Sequence, residues 1–394
     1  MNTPIISIVI PSRNRHQYLA ILVQSLLAFD SKDFEILVHD NSDTPDAFYT
    51  LHDNINDPRL RYVHDPQPMS ITQNFEKSVS LAAGEFVCMI GDDDGVTESI
   101  IDLAYWLKAN NIEAAKCPVP TYYWPGVGNA LHPRQTTGVL RLPRYSSDIE
   151  IVHSKTAMNR VLDSGGIRIG DLPSVYQGIV SKSALVRLYK IAGTRFPGPS
   201  PDMANAVGLT AVIDKFALVS FPIVISGLCS ASGAAEGARH KHHGEIEDRT
   251  FLPEGTADKW PPEIPFYFSG PTLWAATLIH SLNAIGKEQS LSKLRFDRLY
   301  SACKVLTPLY KTRIANARMR NPVKIPEIRI WLGILWIWSL RAEALSRNLY
   351  AQLQNKLYRK SCAYGLPDIE SAIKYINRQF GQINFNDVKA HQKT

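Results

Sequence analysis

The chain begins with an apolar run, Ile5 to Ile10, that gives way to Pro11 and a polar segment, Ser12-Arg13-Asn14-Arg15. A run of that length bounded by turn residues predicts a buried strand over 4–10 with a loop behind it. Leu19, Leu22, Val23, Leu26 and Leu27 follow at helical spacing and predict a helix over 16–29 with one apolar face. Phe34 to His39 reads as a second strand, closed by the polar turn Asp40-Asn41-Ser42-Asp43. Another helix is expected from about Ile71, with Ser70 as its N-cap and Gly84 just past its end. Phe86 to Ile90 forms a third strand, and directly behind it stand Gly91 and three consecutive aspartates, Asp92, Asp93 and Asp94. Strand, helix, strand, helix, strand predicts an α/β fold whose parallel sheet is covered by helices and binds ligands beyond the carboxyl ends of its strands. Those ends carry Arg13 and Asn14, then Asp40, then the aspartate triplet.

Between 110 and 200 the pattern weakens, with the aromatic and proline-rich stretch Pro120-Thr121-Tyr122-Tyr123-Trp124-Pro125-Gly126. A strand at 178–180 and a helix at 183–191 restore it, and the loop Gly198-Pro199-Ser200-Pro201-Asp202 precedes a helix at 203–213. Phe216 to Ser226 reads as one buried strand. A glycine-rich stretch from Ser230 to Gly237 ends in Arg239-His240-Lys241-His242-His243. From about 271 onward the pattern is helical, including 272–285 and 368–380. Ile328 to Leu340 is apolar apart from Arg329 and Ser339, too short for the roughly 20 residues that span a bilayer, so it predicts a buried or an interfacial helix.

With 394 residues the chain exceeds the size at which a single core stops growing, and two regions are expected, 1–250 and 251–394. Charge divides them further. From Lys287 to the end there are 20 Lys and Arg against 7 Asp and Glu, whereas the preceding residues carry 23 against 30. The basic region therefore calls for an anionic partner: a membrane surface, nucleic acid or the acidic body of its own protein. No nucleic-acid-binding motif accompanies the charge, so nucleic acid is not expected. Five separate cysteines, Cys88, Cys117, Cys229, Cys303 and Cys362, without Cys-x-x-Cys spacing, suit reduced thiols and a cytoplasmic location, possible contact with the inner membrane face included.

Three adjacent carboxylates repel one another and raise each other's pKa unless a cation or hydrogen-bond donors compensate. Oxygen ligands favour Mg²⁺ or Mn²⁺, ions that usually bind one or two carboxylates together with substrate phosphates. The alternative is a solvated acidic turn at the start of a helix.

Ser-Ile-Val-Ile-Pro-Ser-Arg-Asn-Arg at 7–15, the strand ending in Asp40 with Asn41-Ser42-Asp43 behind it, the Asn74-bearing helix, and Gly84-Glu85-Phe86 leading into the aspartates resemble family 2 glycosyltransferases of the GT-A fold. The resemblance is close over about 4–96 and loose to about 230. It implies a Rossmann-like, mostly parallel sheet flanked by helices, here with a basic helical C-terminal extension, and a nucleotide-sugar donor, most often a UDP-sugar. It assigns Pro11, Arg13 and Asp40 to the nucleoside, Asp92 and Asp93 to the nucleotide side, and Asp94 to a divalent Mn or Mg ion. Gly91 stands where many members carry the first aspartate of Asp-x-Asp, so Asp93 is equally open as the metal ligand. An inverting transfer requires a carboxylate base distinct from the metal ligands. The resemblance places such a base before a helix about a hundred residues after the triplet, which selects Asp202, with Asp171 in reserve and helix capping as the plain alternative. It also allows a late-loop histidine, His240, His242 or His243, with His242 selected, at the metal or diphosphate. Tyr122, Tyr123 and Trp124 are either a sugar-stacking platform or core.

The expected activity is therefore transfer of a sugar to a glycan or lipid-linked acceptor hydroxyl, in polysaccharide or lipopolysaccharide assembly. A sugar nucleotidyltransferase and a non-catalytic nucleotide-sugar-binding protein are the alternatives. A nucleotidyltransferase would normally carry a glycine-rich loop after its first strand, and Pro11 to Arg15 has no glycine. Between Lys304 and Lys360, 12 Lys and Arg face only Glu327 and Glu343 around the tryptophan-rich stretch. That region is expected to dock on an anionic membrane surface or to pack against the catalytic part or a second subunit in a homo-oligomer.

Overall fold

The computed structural model describes residues 3–44, 55–127, 138–142, 145–146, 148–230, 243–358, 362–381, 385 and 390–392. Strand β1 (Ile6–Ser12) lies inside a nine-stranded sheet, parallel to β2 (Phe34–Asp40) on one side. Beyond β2 runs β3 (Leu60–His64), and on the other side of β1 lies β4 (Phe86–Met89), both in the same sense. Every residue of β1 is buried, which is why the sequence there is continuously apolar instead of alternating. Ile6, Ile8 and Ile10 pack on one face with Leu19, Leu22 and Leu26 of α1 (His16–Leu27) and with the helix Ser99–Ala109. Val9 and Val87 turn to the other face, which is covered by α2 (Ile71–Ser80) and the helix Gly270–Ala284. Ser70 caps α2 as expected, in a full capping box with Gln73.

Beyond β4 the sheet becomes mixed. Strand Gly178–Ser181 runs antiparallel between β4 and Ala114–Lys116, and Lys215–Val219, Ile149–His153 and Ala390–Gln392 complete that side. A second, five-stranded sheet is ordered Cys362–Leu366, Gly138–Arg141, Thr121–Tyr123, Val224–Leu228 and β5 (Gly95–Val96). The chain leaves the first sheet at Met89 and enters the second at Gly95, so the aspartate triplet occupies the crossing. The expected α/β fold with a large helix-flanked sheet is what the structure contains.

One expected element divides. The run 216–226 forms two strands, Lys215–Val219 and Val224–Leu228, which belong to different sheets. Pro222, which has no N–H to give a ladder, stands at the corner between them. Contacts also cross the expected boundary near 250. Helix Gly270–Ala284 packs on helix Pro201–Leu209, and strand Cys362–Leu366 pairs with Gly138–Arg141. Helix Ile369–Phe380 sets Ile369 and Ile373 so close to Gly95 that a side chain there would strike them. The apolar stretch at 328–340 lies within a longer helix, Glu327–Tyr358. Among the described residues, no helix is long and apolar enough to cross a membrane.

Candidate active site

Strands β1, β2 and β4 each deliver a polar terminus to the same end of the sheet, and hydrogen bonds tie those termini together. From β1, Ser12 Oγ donates to Asp92 Oδ2 at 2.7 Å. Arg15, one turn of chain later, donates through Nε to the same oxygen at 3.1 Å and sets Nη2 2.8 Å from Asp92 Oδ1. Its Nη1 lies 3.5 Å from Asp93 Oδ1. The forked guanidinium is thus the cation that the crowded carboxylates require. It does not fully offset their burial. Asp92 is pushed up to about 7, first by burial, against the pull of Arg15 and with a further push from Asp93.

Asp94 is held differently. Its Oδ2 accepts from Gly91 N at 2.8 Å, Gln177 Nε2 at 3.0 Å and, at 3.4 Å, the Tyr176 hydroxyl, while Oδ1 accepts from Gly227 N at 2.7 Å. Burial, followed by the charge of Asp93, raises its pKa despite those bonds. Gln177 reaches it from a left-handed backbone conformation, φ 55°. Gly227 comes from the second sheet, where a Cβ would run into the Asp93 carbonyl; only glycine lets that strand lie against the triplet. Asp93 is the least engaged of the three, with Oδ2 accepting from Cys229 N at 3.3 Å. Its side chain keeps 6% of its surface exposed, whereas that of Asp92 keeps none.

Asp40 is fully buried and saturated. It accepts from Ser42 N at 2.9 Å, from the Ser42 hydroxyl, from Tyr62 Oη at 2.7 Å and from His16 Nε2 at 2.9 Å. Burial alone would raise its pKa; the bonds from Ser42, Tyr62 and His16 outweigh it and hold the group below the ordinary carboxylate value. Pro11 is buried opposite His39 in the β1–β2 pair. Arg13 is half exposed, 3.6 Å from Asp43, at a rim where Asn14, with φ 55°, bonds both Ser42 and Asp43. His39 Nδ1 donates to Asn74 Oδ1 at 2.7 Å, so α2 is fixed beneath the same end of the sheet.

Asp202 stands in the first turn of helix Pro201–Leu209, partly exposed, where it accepts from Met203 N at 2.7 Å, from the Ser200 hydroxyl and from Trp274 Nε1 at 3.2 Å. Burial first, then the charges of Asp94, Asp93 and Asp202, hold the Tyr176 phenol well above its ordinary pKa. Asp171 instead pairs with Arg160 at 2.7 Å, both half exposed. His240 and His242 lie outside the described residues; His243 pairs in a short strand with Ser269, its Nδ1 3.5 Å from the Tyr310 hydroxyl. Tyr122 and Trp124 belong to the core: Tyr122 donates to Leu366 O at 2.7 Å, and Trp124 packs edge-on to Tyr18 while its Nε1 donates to Asp93 O at 3.0 Å.

Ser12, Gln177, Gly227 and Cys229 had not been singled out from the sequence, and Arg15 only as part of a loop. Arg15 had a local signal, a cation just past the first strand. Ser12 shares that segment without a charge to mark it, and Gln177, Gly227 and Cys229 arrive from positions far along the chain and carry no such mark.

Residues 7–169 match the family model for glycosyl transferase family 2. That segment is a family 2 glycosyltransferase domain. Over 94 residues, the chain is 31% identical to WcaA of Escherichia coli strain K12, a glycosyl transferase named for colanic acid biosynthesis, covering 24% of this chain and 34% of that protein. Over 107 residues it is 29% identical to glycosyltransferase GlyG of Streptococcus pneumoniae serotype 4, covering 26% and 34%. The chain thus spans about a third of the length of these curated relatives. Among solved structures, S. aureus TarS 1–349 in complex with UDP-GlcNAc aligns with TM-score 0.45 and 15% identity over 79% of this chain and 89% of that one. Mannosyltransferase PcManGT of Pyrobaculum calidifontis, in complex with GDP-Man and Mn²⁺, aligns with TM-score 0.43 and 13% identity over 92% and 89%.

Proposed function

We propose that this protein is an inverting glycosyltransferase that moves a sugar from a nucleoside-diphosphate donor to a hydroxyl of a glycan or lipid-linked acceptor. The observation that carries the reading is the aspartate triplet at the crossing between the two sheets, within the family 2 domain and at the carboxyl ends of the parallel strands. Pro11, Arg13 and Asp40 line the nucleoside side. Asp40, already saturated, acts there by fixing Ser42, Tyr62 and His16 in place.

The donor set fits a divalent ion in one way. Asp92 Oδ2 is taken by Ser12 and Arg15 while its Oδ1 lies wholly buried against Arg15 Nη2, and Asp94 is taken by four donors; Asp93, bonded by one amide and the most exposed of the three, is the carboxylate to which we assign the ion in preference to Asp94. Among the described residues no three His, Cys, Asp or Glu side chains gather as a cage, so an ion held by Asp93 would draw its remaining ligands from donor phosphates and water. When bound, it supplies Lewis-acid stabilisation of the leaving diphosphate. Arg15 remains beside Asp92 and Asp93 and keeps their summed charge from repelling that anion. Asp202, whose remaining freedom is greater than that of the buried aspartates, takes the proton of the attacking hydroxyl, while Trp274 holds its carboxylate in place.

The test is incubation of the protein with UDP-, GDP- and dTDP-sugars and Mn²⁺, with released nucleoside diphosphate measured. Metal-dependent release that disappears in Asp93→Asn supports the reading. Pyrophosphate exchange would replace it with nucleotidyl transfer, and tight donor binding without release in the presence of acceptor glycans would replace it with a binding protein.

A further inference from the structure

Over residues 327–346 the helix Glu327–Tyr358 is supported along one side only. Ile330 and Ile337 are buried, and Gly333 crosses helix Phe296–Leu306 with so little clearance that a Cβ would strike the Ser301 hydroxyl. That hydroxyl also donates to Ile330 O at 2.9 Å. Trp336 is covered by two guanidinium groups, Arg298 at 4.4 Å and Arg168 at 5.7 Å from its ring. These contacts hold the helix against the body of the protein.

Its other side is apolar and bare. Ile328, Trp331, Leu332, Leu335, Trp338 and Leu345 recur at steps of three, four or seven residues and so form one stripe. Trp331 is 63% exposed, Leu335 65% and Trp338 55%, and the other three are more than half exposed. A contiguous apolar stripe of this length on a protein surface marks an interaction site. The surroundings choose the partner. From Lys304 to Arg341 the chain carries eight Lys and Arg and one acidic residue, Glu327; Arg313 and Arg318 are paired with Glu245 and Glu327, while Arg320, Lys324 and Arg329 flank the start of the stripe in the sequence. A second copy would bring these like charges face to face. A lipid surface with acidic headgroups meets both features at once, apolar side chains below and phosphates around the cations.

We infer that this helix lies in the plane of an anionic bilayer surface, with Trp331, Leu335 and Trp338 in the headgroup boundary and the flanking arginines and lysines on the lipid phosphates. The inference is independent of the proposed chemistry. Co-sedimentation with vesicles of phosphatidylcholine alone and of phosphatidylcholine mixed with phosphatidylglycerol tests it. The full chain is expected to partition onto the anionic vesicles, with a blue shift of tryptophan emission and loss of binding as salt rises. Trp331→Ser with Leu335→Ser is expected to lower the partition coefficient about tenfold or more. Both positions are solvent-exposed, so the thermal midpoint of that variant should match the wild type and show that loss of binding is not loss of fold. Absence of partitioning at low salt, or equal partitioning of wild type and variant, would overturn the inference. So would a wild-type dimer in light scattering that the variant converts to monomer without any vesicle binding, which would assign the stripe to a second copy.

Discussion

Arg15 and Asp92 meet as a fork on a carboxylate, Nη2 to Oδ1 at 2.8 Å and Nε to Oδ2 at 3.1 Å, although 77 residues separate them in the chain. The pair joins the loop after β1 to the triplet after β4. Removing the arginine leaves a fully buried carboxylate without its counterion, so Arg15→Ala should lower unfolding stability by roughly 3–5 kcal/mol. Arg15→Lys keeps the charge and loses the fork, and should fall between the two. Urea denaturation of the three proteins checks the order.

The elevated pKa of Asp92 has a signed consequence. The unfolded chain ionises this group near the ordinary value of 3.8, and the folded, metal-free protein near about 7. Between those pH values the folded state holds a proton that the unfolded state has released. Its stabilising contribution is therefore complete below about pH 4 and is lost progressively as pH rises to about 7. Asp92→Asn should flatten this part of the stability-versus-pH curve. An unchanged slope would mean that Arg15 keeps the carboxylate ionised throughout.

The proposed assignment gives the neighbours Asp93 and Asp94 different tasks, and substitution should separate them. Asp94→Ala strands the amides of Gly91 and Gly227 in a buried site and should cost about 2–5 kcal/mol of stability. Asp93→Asn should change the thermal midpoint by less and abolish metal-dependent diphosphate release. Melting curves read beside turnover distinguish the anchor from the ligand; a large stability loss in Asp93→Asn with turnover retained would reverse the assignment.

Asp202→Asn should reduce transfer about 10²–10⁴-fold with donor affinity little changed, since a general base acts on the acceptor proton. Calorimetric donor binding and steady-state kinetics on the same preparation provide the comparison. If Asp202 only supports the start of its helix, the variant will lose about 1 kcal/mol of stability and keep its rate.

Gly227→Ala should be among the most damaging single-methyl additions in the chain. The new Cβ would collide with the backbone of Asp93, which cannot rotate away, so strand Val224–Leu228 must shift and draw the Asp94 bond with it. A loss of roughly 1–3 kcal/mol or more is expected by thermal melting, together with lower donor turnover.

Most of the first ninety residues were legible because each signal there is local; β3 was not, since only Leu60 of its five residues is buried and the run shows no apolar pattern. Continuous apolar runs mark strands buried on both faces, leucines at helical spacing mark α1, and Ser70 with Gln73 marks the start of α2. The break at Pro222 was missed because apolar residues continue through it and periodicity does not reveal which sheet a strand joins. The partners of Asp94 were missed for a related reason: Gln177 and Gly227 act through one amide and one N–H, groups that have no signature until the fold brings them to the triplet. Tyr122 and Trp124 were ambiguous because an aromatic side chain suits a sugar platform and a core equally; packing against Tyr18 and a bond to the Asp93 carbonyl place Trp124 in the core.

The match to family 2 ends at residue 169, while two of the donors that orient Asp94 lie at 177 and 227 and the helix beside Gly95 begins at Ile369. A chimera that exchanges only the matched segment for that of another member would set a foreign aspartate loop among these native partners. The unit that can be transplanted as a working whole is therefore larger than the stretch that sequence similarity delimits, and it is discontinuous along the chain.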